Sequence, residues 1–357
     1  MEETTTLDRY DATQSYRFNY DHAPESPSDV EAPGEVPGVW TFCGKPVPSP
    51  LGIPAGPLLN GKWVLHYAAL GFDVLTYKTV RSVARDCYEL PNLQPVATGQ
   101  LSATETVVPT ADTMTGSWAV SFGMPSMTPD VWRADVEWTR RNLPPEKLLS
   151  VSVVGSVQSD WSLDDLADDY ARCAKWAVQS GADCVESNFS CPNVSTCDGQ
   201  LYQQPGDAAL VAGRIRDAIG DTPYVVKIGS MNDAEAAEEL LDAVAPFANA
   251  LAMTNSVATQ VRNADGTLLF DGQRRGICGD ATRSASVKQA RIFADLIDGK
   301  VSAVTVIGVG GIGTAGHVWE YLDAGAEAVH IATAAMVNPQ VGLEIRRDLA
   351  GAMAADP

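Results

Sequence analysis

A short segment carrying two amides, a hydroxyl and a thiol is the strongest chemical signal in the sequence. Residues 188–193 read Asn-Phe-Ser-Cys-Pro-Asn and follow an apolar run. Paired amides supply donors and acceptors, which suits a ring bearing N–H and C=O groups. A thiol in a polar pocket can remove a proton once its pKa is adjusted from about 8.5. Asn188 and Asn193 are therefore candidate substrate ligands, and Cys191 is the candidate base unless it is merely a small buried residue.

Other groups compete weakly for the proton transfer. Cys197 lies on the same segment, and Ser190 carries a less acidic hydroxyl. The histidines are expected in the arm, on helices away from the substrate, or packed within a strand; they are His22, His66, His317 and His330.

Two lysines close apolar runs, at Lys78 and Lys227. Lys227 could compensate an anion that develops in the reaction, such as a reduced flavin. A Schiff-base lysine is the competing chemistry. Further polar strand ends are Ala55-Gly56, Lys78-Thr79 and Thr254-Asn255-Ser256.

Residues 308–313 form a glycine-rich turn that opens a helix near Thr314. Glycines let backbone N–H groups approach a phosphate, and the helix N-terminus favours its charge. With Ala332 and Thr333, the turn predicts a phosphate site, in which Gly310 and Gly311 lie against the phosphate. The alternative is that these glycines only make tight turns.

Eight apolar runs must position these groups. Buried parallel strands read as continuous apolar runs, and helical segments separate them here, so we predict a closed (β/α)8 barrel with its active site at the strands' carboxyl ends. A doubly wound open sheet is the alternative. The predicted strands are 51–55, 74–78, 148–154, 184–188, 224–228, 250–254, 304–307 and 328–332, and helices are predicted over 163–179, 232–244 and 284–297.

Two regions lie outside this repeat. Residues 1–38 are acidic and Pro-rich, which predicts a flexible or surface-wrapping arm that buries little, before a catalytic domain over 39–357. Residues 81–129 lack helical period and should add small strands and loops over the barrel top.

Composition excludes several function classes. A net charge of −20 disfavours nucleic acid and anionic membranes. No apolar stretch long enough for a transmembrane helix and no secretory signal is seen. Seven cysteines without a Cys-x-x-Cys pair predict reduced thiols, a cytoplasmic setting and no metal or iron–sulfur site.

The ordered motifs from residue 40 to 345 resemble those of dihydroorotate dehydrogenases. They are Ala55-Gly56, Thr76-Tyr77-Lys78-Thr79, the segment 188–193, Val226-Lys227-Ile228, Thr254-Asn255-Ser256, Val309-Gly310-Gly311-Ile312 and the tail around Ala332-Thr333. Cysteine at 191 is similar to the soluble class 1 branch, and the chain shows no N-terminal membrane helix of the kind found in the class 2 branch.

The resemblance implies FMN across the barrel top and oxidation of dihydroorotate or a related cyclic amide, by hydride transfer to FMN N5 with Cys191 as base. It also implies a homodimer, since relatives are commonly dimers. The absence of an iron–sulfur motif means that coupling to NAD would need a partner subunit, so a soluble electron acceptor or oxygen is the simpler expectation. The implied substrate ligands are Lys78, Asn188, Asn193, Asn255 and Ser256. The implied cofactor ligands are Ala55, Gly56, Lys78, Thr79, Asn188, Lys227, Thr254, Gly279, Gly310, Gly311, Ala332 and Thr333.

One departure from the family pattern bears on specificity. Val120 stands where the resemblance implies a substrate-binding asparagine, and loss of a polar partner can reject a polar substrate strongly. Alternatives are therefore a specialised paralogue acting on a dihydropyrimidine or a secondary metabolite, a flavin-free Schiff-base lyase using Lys227, and a catalytically silent barrel.

Overall fold

The computed structural model describes residues 7–25, 27, 34–102, 104–190, 200–300 and 303–355. The strands in these ranges are β1 (Trp40–Phe42), β2 (Lys45–Val47), β3 (Leu51–Ile53), β4 (Val74–Val80), β5 (Leu93–Pro95), β6 (Val107–Pro109), β7 (Ser117–Val120), β8 (Leu148–Val153), β9 (Cys184–Asn188), β10 (Tyr224–Lys227), β11 (Ala250–Met253), β12 (Val257–Arg262), β13 (Arg275–Gly279), β14 (Thr305–Val309) and β15 (Ala326–His330). The α-helices are α1 (Tyr16–Asp21), α2 (Gly61–Ala69), α3 (Pro129–Asn142), α4 (Leu163–Gln179), α5 (Pro205–Ile219), α6 (Ala234–Val244), α7 (Arg283–Asp298), α8 (Ala315–Asp323), α9 (Thr333–Val337) and α10 (Val341–Ala355).

Eight parallel strands close into a barrel, which confirms the predicted fold class. In chain order they are β3, β4, β8, β9, β10, β11, β14 and β15, and β15 pairs back onto β3 through Val329 and Leu51. Strands β4, β8 and β9 are buried along their whole length. Burial on both faces explains the apolar residues with which each strand begins, and buried polar side chains follow within each strand.

The predicted element positions agree with the structure, with shifts at the ends. The segment 184–188 is β9 itself, and helix α4 covers the predicted 163–179. The eighth strand begins at Ala326 rather than 328, and it ends at His330. Ser162 and Asp165 form a reciprocal capping box that fixes the start of α4.

The insertion after β4 supplies extra strands, as predicted. Strands β5, β6 and β7 combine with β12 and β13 in a five-stranded sheet of order β5-β7-β13-β12-β6. Strand β13 pairs antiparallel with β7, so that Gly276 lies opposite Val120. The sheet thus joins the insertion after the second barrel strand to the segment after the sixth.

The described part of the N-terminal arm packs on the barrel, contrary to the expectation that it buries little. Helix α1 begins after Ser15, whose side chain accepts a hydrogen bond from the Phe18 N–H. Tyr10, Tyr16 and Asn19 are buried. The composition of the arm is polar, but a few large side chains anchor it. The division of the chain at residue 38 stays a prediction.

Candidate active site

A cavity of about 620 Å³ opens at the carboxyl ends of the barrel strands. Its size is typical of a pocket for a small-molecule ligand or cofactor. Its lining brings together most of the residues singled out in the sequence: Ala55, Gly56, Lys78, Thr79, Asn188, Lys227, Asn255, Gly279, Gly310, Gly311, Ala332 and Thr333. Chain segments more than two hundred residues apart therefore converge on one site.

Lys78, in β4, projects its ammonium group against an aromatic ring. The Nζ atom lies 4.2 Å from the centroid of the Tyr16 ring, a cation–π contact. The side chain is buried, and desolvation lowers the pKa of Lys78 to about 7, opposed in part by Cys87. An anionic group placed beside this lysine would favour its charged form.

Lys227 ends β10 and is held by a carboxylate inside the barrel. Its Nζ lies 3.2 Å from Oε1 of Glu186 in β9, and both side chains are almost fully buried. This lysine is therefore an internal charge that does not extend to solvent. Sequence reasoning missed Glu186, because a single acidic residue inside an apolar run gives no hint of its partner.

His330 ends β15 and also lines the cavity, where sequence analysis expected only a packed core residue. Burial, and secondarily Lys227, lowers the pKa of His330 to about 3. Neither ring nitrogen has a hydrogen-bond partner among the described residues. Desolvation therefore favours the neutral imidazole, which stacks on Phe42 and whose nitrogens are unpaired among the described residues.

His317, in α8, lines the cavity beside the glycine turn, contrary to the expectation that it would lie away from the site. Its Nδ1 accepts a hydrogen bond from the Gly313 N–H at 3.3 Å. Burial lowers the pKa of His317 below its ordinary value.

The glycine turn after β14 has the backbone that the sequence predicted. Gly310 and Gly311 have φ angles of +128° and +68°, which side chains rarely adopt. A Cβ on Gly311 would lie 2.6 Å from Cβ of Arg283, and one on Gly310 would lie 2.9 Å from Oγ1 of Thr282. Close packing within the protein therefore requires glycine at both positions, in addition to any requirement set by a ligand.

Amides and backbone hold the start of the 188–193 segment. Oδ1 of Asn188 accepts a hydrogen bond from the Ser190 N–H at 3.1 Å, and Nδ2 of Asn255 donates to the Ser190 carbonyl at 2.8 Å. Cys191, Asn193 and Cys197 lie outside the described residues.

Two predicted ligands do not line the cavity. The Thr254 hydroxyl donates to Oε1 of Gln289 at 2.7 Å, and its N–H donates to the Ser286 hydroxyl at 3.0 Å, so both groups are used internally. Ser256 is buried beside the cavity rather than in its wall. Sequence position alone could not decide this, because side chains at successive positions of a strand end face different ways.

The structure adds wall residues that sequence analysis did not single out. Tyr10 and Tyr16 come from the arm, Trp118 comes from β7, and Met124 follows it. Cys278 in β13 also lines the cavity, and burial raises the pKa of its thiol to about 12. Val120 is half-buried and contributes an apolar patch to the same wall.

These features fit FMN. The turns at Gly310-Gly311 and at Ala332-Thr333 offer backbone to a phosphate, and α8 begins directly beyond the first turn. Lys78, Asn188, Lys227 and the free nitrogens of His330 surround the rest of the cavity with donors and acceptors for a heterocycle.

Comparison with known proteins gives one answer. The family model for dihydroorotate dehydrogenase matches residues 39–353. A dihydroorotate dehydrogenase of Dictyostelium discoideum is 29% identical over 358 residues, covering 94% of this chain and 95% of that protein. The catalytic subunit of dihydroorotate dehydrogenase B (NAD(+)) from Bacillus pumilus is 30% identical over 190 residues, which cover 53% of this chain and 59% of that subunit.

A solved structure shares the fold. The DHODH of Eimeria tenella in complex with ferulenol superposes with a TM-score of 0.73 and 18% identity, over 92% of this chain and 87% of that one. The family match spans nearly all of the barrel, and its residues lie around a cavity suited to a flavin. This chain therefore belongs to the dihydroorotate dehydrogenase family of FMN-dependent oxidoreductases, which act on a CH–CH group.

Proposed function

We propose that this protein oxidises dihydroorotate or a closely related cyclic amide. The observation that carries the proposal is the convergence of Lys78, Asn188, Lys227 and Asn255 with the glycine turns on one cavity. The similar proteins from Dictyostelium discoideum and Bacillus pumilus are dihydroorotate dehydrogenases, which supports this choice of substrate. When bound, FMN supplies a hydride acceptor at N5.

Each polar residue of the cavity has a separate task in this reaction. Lys78 pairs with the anionic group of the substrate, and the amides of Asn188 and Asn255 hold the ring. Lys227, fixed by Glu186, compensates negative charge on the cofactor side. We also propose Asn193 as a ligand of the substrate ring, because it belongs to the same segment 188–193 as Asn188.

Cys191 is the proposed general base. The proposal is supported by Ser190, the residue before it, which is tied by hydrogen bonds to Asn188 and Asn255 at the cavity wall. Cys278 is the thiol that the structure shows in the wall, and the raised pKa of that thiol makes it a poor base at neutral pH.

The test is stopped-flow, anaerobic reduction of the flavin by dihydroorotate. Loss of a general base typically slows a reaction by about 10²–10⁴-fold, so Cys191→Ala should slow reduction by that factor with FMN still bound. Cys191→Ser should keep a small activity that rises with pH. Cys278→Ala and Cys197→Ala are the matched controls and should reduce normally. If the flavin of Cys191→Ala is reduced at the normal rate and that of Cys278→Ala or Cys197→Ala is reduced slowly, the base is the cysteine replaced in the slow variant.

A second substrate class is favoured by one observation. Val120 presents an apolar side chain to the cavity where a substrate-binding amide is implied. A dihydropyrimidine or a secondary metabolite with a less polar edge would fit this wall better. Running the same reduction with dihydrouracil alongside dihydroorotate separates the two classes.

The proposal also covers the electron acceptor, the oligomeric state and the cellular location of the protein. We propose a homodimer that passes electrons to a soluble acceptor or to oxygen. We also propose a cytoplasmic setting, which is supported by free thiols at the five described cysteines, Cys43, Cys87, Cys173, Cys184 and Cys278. Within the described ranges, no helix combines the length and apolarity needed to cross a bilayer.

A further inference from the structure

Two tyrosines of the N-terminal arm lie in the wall of the cavity that Lys78 and Asn188 also line. Tyr10 and Tyr16 are each only 7% exposed. They reach the site from a segment of low apolar content that precedes the barrel. The cavity is therefore closed on this side by a part of the chain that the barrel repeat does not include.

The arm is fixed in this position by hydrogen bonds to the barrel. The indole N–H of Trp63 in α2 donates to the Asn19 carbonyl at 3.1 Å, and Nδ2 of Asn60 donates to the Tyr20 carbonyl at 2.9 Å. The Asn19 side chain in turn accepts from the Asp11 N–H at 2.7 Å. These bonds hold α1 and its tyrosines against the mouth of the barrel.

The hydroxyl groups of Tyr10 and Tyr16 are buried and have no hydrogen-bond partner among the described residues. Buried polar groups are nearly always paired in native proteins, and an unpaired one indicates a missing ligand or water. Burial raises the pKa of Tyr16 well above its ordinary value, so the phenol keeps its proton and can donate it in a hydrogen bond. Both tyrosines thus line the cavity with hydroxyl groups that have no hydrogen-bond partner among the described residues.

The surroundings of these hydroxyls show what the partner should be. The Tyr16 ring lies against the Lys78 ammonium group, for which the described residues provide no ion pair. Phe122 packs edge-on against both tyrosines, with centroid distances of 6.0 Å to Tyr10 and 6.5 Å to Tyr16. Val120 precedes Phe122 on the same wall and offers no hydrogen bond. A flat ring with an anionic group for Lys78 and polar edge atoms for the tyrosines matches this arrangement.

We propose that Tyr16, together with Tyr10, is a substrate-binding residue whose hydroxyl hydrogen-bonds the polar edge of a cyclic amide acid paired with Lys78. The arm thereby supplies the polar contact that Val120 cannot make. The inference rests on the proposed function, because it takes dihydroorotate-type rings as the ligands. It assigns part of the substrate specificity to the arm rather than to the barrel.

The test uses the full-length holoenzyme with orotate as the binding probe and dihydroorotate as the reductant. Tyr16→Phe and Tyr10→Phe remove only the hydroxyls and keep the contacts to Phe122. Tyr20→Phe is the matched control, since Tyr20 lies on the same helix and does not line the cavity. Orotate affinity is measured from the perturbation of the FMN absorbance spectrum, and FMN content is measured for each variant.

Loss of one hydrogen bond should weaken orotate binding by about threefold to tenfold in Tyr16→Phe, with FMN content unchanged. Flavin reduction should require a higher concentration of dihydroorotate to reach half of its limiting rate. The limiting rate itself should change less than this concentration does. Tyr20→Phe should behave as the wild type.

Two results would overturn the inference, and they are distinguishable. If the wild type binds orotate and both Tyr16→Phe and Tyr10→Phe bind it equally well, the tyrosines are not substrate ligands and the proposed function stands. If the FMN-loaded wild type responds to neither orotate nor dihydroorotate, the proposed substrate is wrong, and the inference falls with it.

Discussion

At the scale of single residues, Lys78 shows how burial changes the chemistry of a side chain. Its ammonium group meets an aromatic ring instead of a carboxylate, and desolvation lowers the pKa of Lys78 to about 7. Lys227, which is equally buried, has Glu186 at 3.2 Å. Among the described residues, Lys227 therefore has an internal counter-ion whereas Lys78 has an aromatic ring in that place.

The lowered pKa of Lys78 predicts a pH-dependent stability of the flavin-free protein. Between pH 7 and about 10.4 the unfolded chain binds a proton that the folded chain does not, so stability rises with pH in this window. The contribution is about 1.4 kcal/mol per pH unit. Wild type and Lys78→Met should therefore differ most at pH 6, where the wild type carries the full cost of a buried charge.

The measurement is urea denaturation of both apoproteins at pH 6, 7, 8 and 9. The difference in unfolding free energy should shrink from pH 7 to pH 9, and other titrating groups cancel in the comparison. A difference that stays constant over this range would show that Lys78 keeps an ordinary pKa in the folded state.

At the scale of elements, the turn between β14 and α8 combines a structural and a binding requirement. The positive φ of Gly311 and its contact with Arg283 mean that a side chain there would strain the fold directly. Loss of FMN from a Gly311 variant would not by itself locate the phosphate. Gly313 lines the same cavity without a positive φ, and the contact found for its added Cβ is Ala334 Cβ at 3.5 Å.

Gly313→Val therefore tests the phosphate position at lower structural cost. Its side chain should occupy space at the turn and weaken FMN binding by tenfold or more, while the unfolding midpoint of the apoprotein stays near that of the wild type. FMN affinity is measured by quenching of flavin fluorescence on titration with apoprotein. Gly316→Val, at the second residue of α8 and outside the cavity wall, is the control. If both variants bind FMN with equal affinity, the phosphate does not bind at this turn.

At the scale of the whole molecule, the site is assembled from three layers. The barrel provides the strand ends, the five-stranded sheet provides Val120 and Cys278, and the arm provides Tyr10 and Tyr16. The glycine turn and both lysines of the cavity belong to the barrel, whereas the apolar and aromatic wall residues named above come from the other two layers.

The proposed homodimer is also a property of the whole molecule. A chain of 37.9 kDa should sediment with about twice that mass at micromolar concentration. Sedimentation equilibrium at several protein concentrations measures it, with and without added FMN. A single-chain mass under all these conditions would reject the dimer.

The sequence by itself determined the barrel and most of the polar residues that line its cavity. Each of β4, β8 and β9 begins with apolar residues, as a parallel strand buried on both faces should, so these strands could be located although polar side chains such as Lys78 and Glu186 follow within them. Their polar ends had to converge because the strands of a closed parallel barrel share one direction. Lys78, Asn188 and Lys227 were assigned to one pocket on that argument, and the cavity brings them together.

Only the tertiary structure decided the contacts that depend on side-chain direction or on distant segments. Glu186 meets Lys227 because neighbouring strands pair in a register that residue types do not specify. Thr254 turns to Gln289 instead of the cavity, although it stands at a strand end like the others. Tyr16 of the arm contacts Lys78 across about sixty residues of sequence, and no local pattern in a polar, Pro-rich segment predicts such a contact. Local periodicity reports which face of an element is buried, whereas partners that are far apart in the chain are chosen by packing of the whole fold.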